Sequence, residues 1–226
     1  MKKAGSVSEK IEKTKQFEHQ FDLSDDKCVL AGMDIGMIGS EDIALGKYGI
    51  LFIASGDLKQ TFENGLRAAN PGGIFMMNMN KTEDVKKLEI VKANINSSPI
   101  ARKSFQLHPH GMDISNSTNR LYAVNHNDGY DSVIIYNIKY NLNCLEENLQ
   151  GRCLFQNTVI LEFKAEIRSD LFPFMALNDV VEASETEFYV SQWLPFGYPK
   201  RYFLIFSELS KLLSIIRLVL GTFNIE

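Results

Sequence analysis

The sequence lacks basic clusters, long apolar runs and an apolar leader. Its 226 residues carry 24 Lys and Arg against 28 Asp and Glu, a formal net charge of −4. Without a Lys/Arg block there is no electrostatic footprint for nucleic acid. No run reaches the ~18 apolar residues of a transmembrane helix, and the polar start, MKKAGSVSEK, lacks the apolar core of a signal peptide. The 45% apolar fraction is that of a globular protein, and the length fits one domain or two small ones.

Cysteine is scarce, with only Cys28, Cys144 and Cys153. An odd count excludes a disulfide framework closed within this chain, and no C-x-x-C spacing predicts a zinc site. Cys144 and Cys153 lie in the polar segment NCLEENLQGRC, where a local disulfide and two free thiols are both open interpretations. No feature of this segment marks either thiol as a nucleophile.

Several common catalytic and nucleotide-binding motifs are also missing. The sequence contains no G-x-S-x-G elbow, so the usual serine-hydrolase arrangement has no support. It contains no P-loop, no G-x-G-x-x-G and no H-E-x-x-H motif. Any chemistry must therefore come from residues that are distant in sequence.

Short β-branched and aromatic runs between Gly, Asn and Asp punctuation begin near Leu30 and are typical of many short strands. Asn127-Asp128-Gly129 predicts a hairpin, in preference to a partial calcium loop that would use Asn125, Asn127 and Asp131. Residues 1–27 predict a polar tail or helix. The predicted strands are Ile50–Ala54, Ile74–Asn78, Leu121–Val124, Val133–Ile138, Thr158–Phe163 and Phe188–Ser191.

Three polar positions recur at a nearly constant period. Asp42, Gly111 and Asp179 are the middle residues of EDI, HGM and NDV, with offsets of 69 and 68 residues, and a predicted strand follows each. A polar pair that leads into an antiparallel hairpin at constant period is typical of a β-propeller with long blades, whose equivalent positions converge on a central channel. A closed propeller needs at least about four blades. The sequence therefore predicts an all-β, partial propeller of about three blades over residues 28–206, in an incomplete chain.

The first and third repeats offer hard oxygen ligands. The carboxylates of Glu41, Asp42 and Asp179 and the amide of Asn178 favour calcium over zinc or copper. Adjacent residues of an extended strand point to opposite sides, so each pair could serve two ions. The alternatives are a solvated turn at Glu41-Asp42 and an Asx-turn at Asn178-Asp179.

The histidines near the middle repeat are candidates for proton transfer. His108, His110 and His126 fall in or beside that repeat, and imidazole is well suited to proton transfer near neutral pH. Two of them beside a metal-bound water could act as base and relay. The alternative is that His108-Pro109-His110 forms a loop and that His126 caps a strand.

The segment SELSKLLSIIRLVLG, residues 207–221, predicts an amphipathic helix. A narrow polar stripe recurs at three- and four-residue steps, and a wide apolar face occupies the rest. Packing on a core and lying on a lipid or membrane surface both fit this pattern. The polar stripe consists of Ser207, Ser210, Lys211, Ser214, Arg217 and Gly221.

Four ordered segments resemble the serum paraoxonase/arylesterase family. GSEDI (39–43) followed by FIASG (52–56) resembles the family's opening blade, and HPHGM (108–112) is similar to its N-P-H-G-I segment with His for Asn. LYAVNH (121–126) is similar to its V-V-N-H strand, and LNDVV (177–181) resembles its L-N-D-I-V. The matches keep their order over residues 28–193.

The resemblance implies a six-bladed β-propeller with two calcium ions in the channel and hydrolysis of lactones and aryl esters. It implies Glu41 and Asn178 as ligands of the catalytic calcium. Asp42, Asp179 and the backbone carbonyl of Met112 would bind the structural calcium. His110 and His126 would form a histidine dyad, in which His110 takes a proton from the attacking water and calcium polarises the carbonyl.

The resemblance also has implications outside the channel. Cys28 matches a family cysteine whose partner is absent from this chain, and the segment 207–220 matches a helix that holds the enzyme on lipid. An extracellular or membrane-associated protein is therefore expected, although this chain has no signal peptide. In a secretory protein, the sequons at Asn80, Asn96 and Asn116 would be glycosylation candidates.

Two alternatives to an active esterase follow from the departures from the family pattern. Three further ligands of the catalytic calcium are expected from blades beyond Glu226. A chain without them predicts weak calcium binding. It would then be a non-catalytic, chaperone-like binding protein associated with membranes, or an inactive truncated product.

Overall fold

The computed structural model describes residues 33–57, 60–61, 71–81, 89–96, 106–127, 129–169, 177–192 and 217–219. These residues lie in one compact unit, Gly32–Glu226, and they are dominated by strands. The all-β prediction is confirmed at this level. The predicted tail, residues 1–27, and Cys28 lie outside the described residues. Within the described ranges, no helix has both the length and the apolarity needed to cross a membrane.

The described strands form three sheets. The first has the order β1-β2-β3-β4, the second β5-β9-β8-β7-β6 and the third β10-β11-β12. All neighbours pair antiparallel except β5 and β9, which are parallel. The strands are β1 (Asp42–Leu45), β2 (Ile50–Ser55), β3 (Gly73–Asn78), β4 (Ile90–Lys92), β5 (Asn94–Asn96), β6 (Pro109–Ser115), β7 (Arg120–Asn127), β8 (Tyr130–Tyr140), β9 (Val159–Ile167), β10 (Leu177–Ser184), β11 (Glu187–Gln192) and β12 (Arg217–Val219).

All six predicted strands are confirmed, as β2, β3, β7, β8, β9 and β11. The hairpin between β7 and β8 is also confirmed, because Asn127 pairs with Tyr130 and Gly129 has a φ of +91°. A two-residue connection with positive φ matches the right-handed twist of the flanking strands. The partial calcium loop is therefore wrong, and Asn125 instead accepts a hydrogen bond from the His108 backbone N–H at 2.6 Å.

The second sheet is the central layer, with apolar residues buried on both faces. Leu121 and Ala123 of β7 pack with residues of the first sheet, such as Phe52. The alternate residues Tyr122 and Val124 pack with residues of the third sheet. Opposite faces of one strand are thus both covered, which explains why β7 and β8 appear in the sequence as nearly continuous apolar runs.

The chain passes from the first sheet to the second at Ala93, between β4 and β5. The Ala93 N–H donates to the Ile74 carbonyl oxygen of β3 at 2.8 Å. The next residues join the second sheet beside β9. The first two sheets are therefore connected by a single residue at this point.

Residues 217–219 form a strand, where the sequence predicts the end of a helix. This strand, β12, pairs with Val190–Gln192 of β11. Pairing with β11 satisfies backbone groups of an otherwise unpaired sheet edge, which overrides the helical periodicity at these three residues. The rest of the predicted helix, 207–216 and 220–221, lies outside the described residues.

One helix, α1 (Leu142–Leu149), follows β8. The Asn141 side chain caps it by accepting a hydrogen bond from the Cys144 backbone N–H at 3.2 Å, as expected for an N-terminal Asn cap. Cys144 forms a disulfide with Cys153, nine residues further along the chain. The local disulfide, left open by the sequence, is thus present in the structure.

Removing this disulfide should destabilise the protein by about 2–3 kcal/mol, because the cross-link restricts the unfolded chain around a loop of about ten residues. The test is urea unfolding of the double variant Cys144→Ala/Cys153→Ala. A reductant should reproduce the loss in the wild type and leave the double variant unchanged. Equal unfolding free energies for the two proteins would contradict a stabilising cross-link.

Candidate functional site

One cleft brings together the polar positions of all three repeats. It has a volume of about 160 Å³ and is lined by Glu41, Asp42, His110, Gly111, Asn178 and Asp179. Each pair stands at or beside the first strand of a hairpin, namely β1–β2, β6–β7 and β10–β11. Positions about 70 residues apart in sequence therefore become neighbours in space.

Local irregularities orient two of these pairs. The β6–β7 register shifts between Pro109 and Met112, across His110 and Gly111. The β10–β11 register shifts between Leu177 and Val180, across Asn178 and Asp179. A bulge inserts residues that the partner strand does not match and re-aims their side chains. Asp42 lies within β1 and His110 within β6. The alternatives of a turn at Asp42 and of a loop at His110 are therefore wrong for these two residues.

Gly111 allows β6 and β10 to approach closely at the cleft. A Cβ atom added at Gly111 would overlap the Asn178 carbonyl oxygen and the Asp179 Cα, and would lie 2.6 Å from Asp179 Oδ1. Glycine is required here because backbone atoms cannot move aside as a flexible side chain can.

The two aspartates have the same local hydrogen bond. Asp42 Oδ1 accepts from the next backbone N–H, that of Ile43, at 2.8 Å, and Asp179 Oδ1 accepts from that of Val180 at 2.7 Å. Asp42 Oδ2 also accepts from the Met112 N–H at 2.7 Å, which ties the first sheet to the second. Met112 itself is buried.

Negative charge is crowded at this end of the sheets. Burial raises the pKa of Asp179, the Val180 N–H partly opposes this, and the neighbouring carboxylates of Asp42 and Asp113 raise it further. Burial also raises the pKa of Glu41. Burial and the neighbouring carboxylates both disfavour the ionised form, and a cation in the cleft would offset their effect.

His110 lies beside these carboxylates. Its Nε2 is 4.0 Å from Glu41 Oε2. Burial lowers the pKa of His110 to about 4, with a further lowering by His126, while a hydrogen bond with the backbone of Leu177 and the charge of Asp131 act in the opposite direction. The imidazole is therefore neutral at pH 7 and can accept a proton.

His126 lies behind His110, with the ring centroids 5.3 Å apart. It does not cap the end of β7, because it is buried within the strand and pairs with Asp131 of β8. His126 Nδ1 is 2.9 Å from Asp131 Oδ1. The sequence predictions do not include Asp131 as a partner of His126, although its position just after the Asp-Gly turn places it opposite His126.

The cleft presents the oxygen donors that calcium prefers, but not a complete coordination sphere. Within the ranges the structure describes, no group of three or more His, Cys, Asp or Glu side chains is arranged to hold a metal ion. Glu41, Asp42 and Asp179 must then be supplemented by the Asn178 amide, backbone carbonyls or water. The donor types fit calcium, whereas the number of described donors fits only partial coordination.

Comparison with protein families decides what kind of protein carries this cleft. The model of the family described as "Arylesterase" matches residues 25–215. The chain belongs to the arylesterase family. This confirms the resemblance found in the sequence and gives an ester-hydrolase function at the family level. No curated protein matches the chain significantly.

A larger cleft of about 410 Å³ lies at the opposite ends of β1 and β2 of this arylesterase-family chain. Two buried side-chain amides line this cleft. Asn78 Nδ2 donates to Asn148 Oδ1 at 3.2 Å, and Asn148 Nδ2 donates to the Cys153 carbonyl oxygen at 2.8 Å. Both amides therefore form hydrogen bonds with other protein groups. Among the described residues that line it there is no histidine and Glu146 is the sole carboxylate. The smaller cleft, with its histidine and three carboxylates, is therefore the candidate functional site.

The sequons stand apart from the active-site candidate. Asn80 Nδ2 donates to the Tyr48 carbonyl at 2.8 Å, which engages the atom that glycosylation would modify. Asn116 is exposed in the turn after β6, and Asn96 lies in β5. Glycosylation of any of them stays a prediction.

The low pKa of His110 predicts an acid-sensitive contribution to the stability of this protein. Between pH 6.5 and about 4 the unfolded imidazole binds a proton that the folded one does not. Stability present above pH 6.5 is therefore lost as the pH falls through this window, by about 3 kcal/mol at most. Urea unfolding in EGTA should show the loss in the wild type relative to His110→Gln.

The comparison with His110→Gln is needed because Glu41 and Asp179 have raised pKa values and act in the opposite direction. Both proteins retain these carboxylates. A difference in unfolding free energy that does not change between pH 7 and pH 4 would contradict a depressed His110 pKa.

Proposed function

We propose that this protein is a calcium-dependent hydrolase of aryl esters and lactones. The observation that carries the proposal is the single cleft in which Glu41, Asp42, Asn178 and Asp179 meet beside His110, in a chain of the arylesterase family. We further propose that the three sheets are successive blades of the β-propeller implied by the resemblance. Packing of the central sheet between the other two supports this arrangement.

Calcium is the proposed cofactor. Glu41 and Asn178 would hold the catalytic ion, whereas Asp42, Asp179 and the Met112 carbonyl would hold the structural ion. The crowding of carboxylates that raises the pKa of Asp179 supports a cation here. Bound calcium supplies electrostatic stabilisation of the charge that develops on an ester carbonyl oxygen.

The proposed proton transfers use the histidine pair. His110, neutral at pH 7 because its pKa is about 4, takes a proton from the attacking water. His126, with its ring centroid 5.3 Å from that of His110, orients His110 and relays the proton. Asp131 in turn contacts His126 at 2.9 Å, which gives the order expected of a base supported by a second and a third group.

The proposed location is extracellular or membrane-associated. The Cys144–Cys153 disulfide supports an oxidising compartment. The proposed lipid contact through residues 207–220 rests on the sequence pattern. The small-molecule partner would be an ester or a lactone, with no role for nucleic acid.

A non-catalytic binding function is the second candidate. The observation that favours it is the incomplete coordination among the described residues, which contain no group of three acidic, His or Cys ligands. A protein of this kind would use the propeller as an interaction module and would not hydrolyse esters.

The deciding experiment measures hydrolysis of phenyl acetate and of a six-membered lactone by the full chain in calcium and in EGTA. We expect activity that EGTA abolishes and that Glu41→Gln reduces at least tenfold in millimolar calcium. Asp34→Asn removes an exposed carboxylate outside the cleft and should leave the rate unchanged. A well-folded chain without calcium-dependent activity would favour the binding function.

A further inference from the structure

Asp131 is almost completely buried, with 1% relative exposure, and its carboxylate holds groups from two different strands. Oδ1 lies 2.9 Å from His126 Nδ1 on β7. Oδ2 accepts a hydrogen bond from the Leu177 N–H at the start of β10, also at 2.9 Å. A buried carboxylate is costly unless its oxygens are hydrogen-bonded, and both oxygens of Asp131 have such partners.

The geometry points to Asp131 as a positioning residue that holds His126 in the tautomer with the proton on Nδ1. This inference rests on the proposed function for its catalytic consequence. An ionised carboxylate can only accept a hydrogen bond, so its contact with Nδ1 requires a proton there. In the neutral ring, Nε2 is then left as the acceptor.

His126 Nε2, the other ring nitrogen, is placed to accept a proton. His126 Nε2 is buried and has no hydrogen-bond partner among the described residues. His126 has 1% relative exposure, and its ring centroid lies 5.3 Å from that of His110. A proton passing from the His110 side would therefore find an acceptor that bulk water does not occupy.

The same carboxylate also holds the start of β10. Leu177 donates its N–H to Asp131, and Leu177 directly precedes Asn178 and Asp179 in the cleft. Asp131 thus connects His126 to the strand that carries two of the proposed calcium ligands.

The substitution Asp131→Asn separates this role from simple packing. The introduced amide side chain has the same size as the carboxylate but only one acceptor oxygen and an NH₂ group, so it could serve either His126 or Leu177 as an acceptor, but not both. Glu182→Gln is the matched control. Its Oε1 accepts hydrogen bonds from Tyr122 and Thr118 and likewise joins the second and third sheets, without contacting either histidine.

The test combines nitrogen NMR of the imidazoles with ester hydrolysis by wild type, Asp131→Asn and Glu182→Gln. We expect wild-type His126 to carry its proton on Nδ1 and Asp131→Asn to shift it towards Nε2. We also expect kcat to fall at least tenfold with KM within threefold of the wild type. Glu182→Gln should change neither the tautomer nor kcat.

Two outcomes would overturn the inference: a wild-type His126 protonated on Nε2, which needs no variant, or an unchanged tautomer in folded Asp131→Ala, whose side chain offers no acceptor. Full kcat in Asp131→Asn would overturn the catalytic role while leaving the proposed function intact. If the wild type hydrolyses no ester, the proposed function fails, and the tautomer still decides the structural role of Asp131. Asp131→Glu, which keeps the carboxylate, should restore the Nδ1 tautomer.

Discussion

Replacement of His110 by Gln is expected to lower kcat for phenyl acetate by about 10²–10⁴-fold, the usual contribution of a general base. Gln has a similar length but cannot accept a proton from water at neutral pH. Its amide can still form hydrogen bonds near Glu41 and Leu177, so the fold and the cleft should persist. Steady-state kinetics in millimolar calcium measures the effect.

His108→Gln is the matched control for this variant. His108 lies two residues away and is buried, but it does not line the cleft. Its ring nitrogen Nε2 contacts Gln106 Oε1 at 3.2 Å. Equal losses in the two variants would attribute the effect to the fold, and a rate for His110→Gln within threefold of wild type would exclude His110 as the base.

Gly111→Ala is expected to lower the free energy of unfolding by about 3 kcal/mol or more and to abolish hydrolysis. The added methyl group would overlap the backbone at Asn178 and Asp179, and overpacking costs typically 1–3 kcal/mol even where side chains can move. Relief requires β10 to move away from β6. That movement would separate the pairs on the two strands and open the cleft.

Gly151→Ala serves as the control because, apart from its chain neighbours, no atom of the described residues lies within 4 Å of the added Cβ. Gly151 has a φ of +72°, so alanine there should cost about 1–2 kcal/mol through backbone strain alone and leave hydrolysis intact. A Gly111→Ala protein that is as stable as Gly151→Ala and fully active would contradict the close approach of the two strands.

The sequence predicts the centres of the strands but not all of the strands that carry the site. β2, β7 and β8 are rich in β-branched and aromatic residues, so their sequences alone predict strands. The polar pairs lie in or directly beside β1, β6 and β10, and β6 begins with Pro109. These residues resemble turns in sequence, and their extended form depends on pairing with the next strand.

The repeat is the more informative signal for the site, since it predicts that distant polar pairs converge. It could not reveal Gly111 as a point of backbone contact, because that contact depends on the packing of separate sheets. The pairing of Asp131 with His126 lies within one hairpin, and the predicted turn between β7 and β8 could have indicated it. In the C-terminal segment, the sequence pattern predicts a helix where the structure has a strand. Its helical periodicity is clear, yet Arg217–Val219 pair with β11.

The passage through Ala93 has a mechanical consequence. Because β4 and β5 are separated by one residue, the first sheet cannot detach without pulling β5 away from β9. Fragments cut at this position would each expose the apolar sheet face that the other fragment covers, so neither is expected to stay folded alone. The first two sheets should therefore melt in a single cooperative transition.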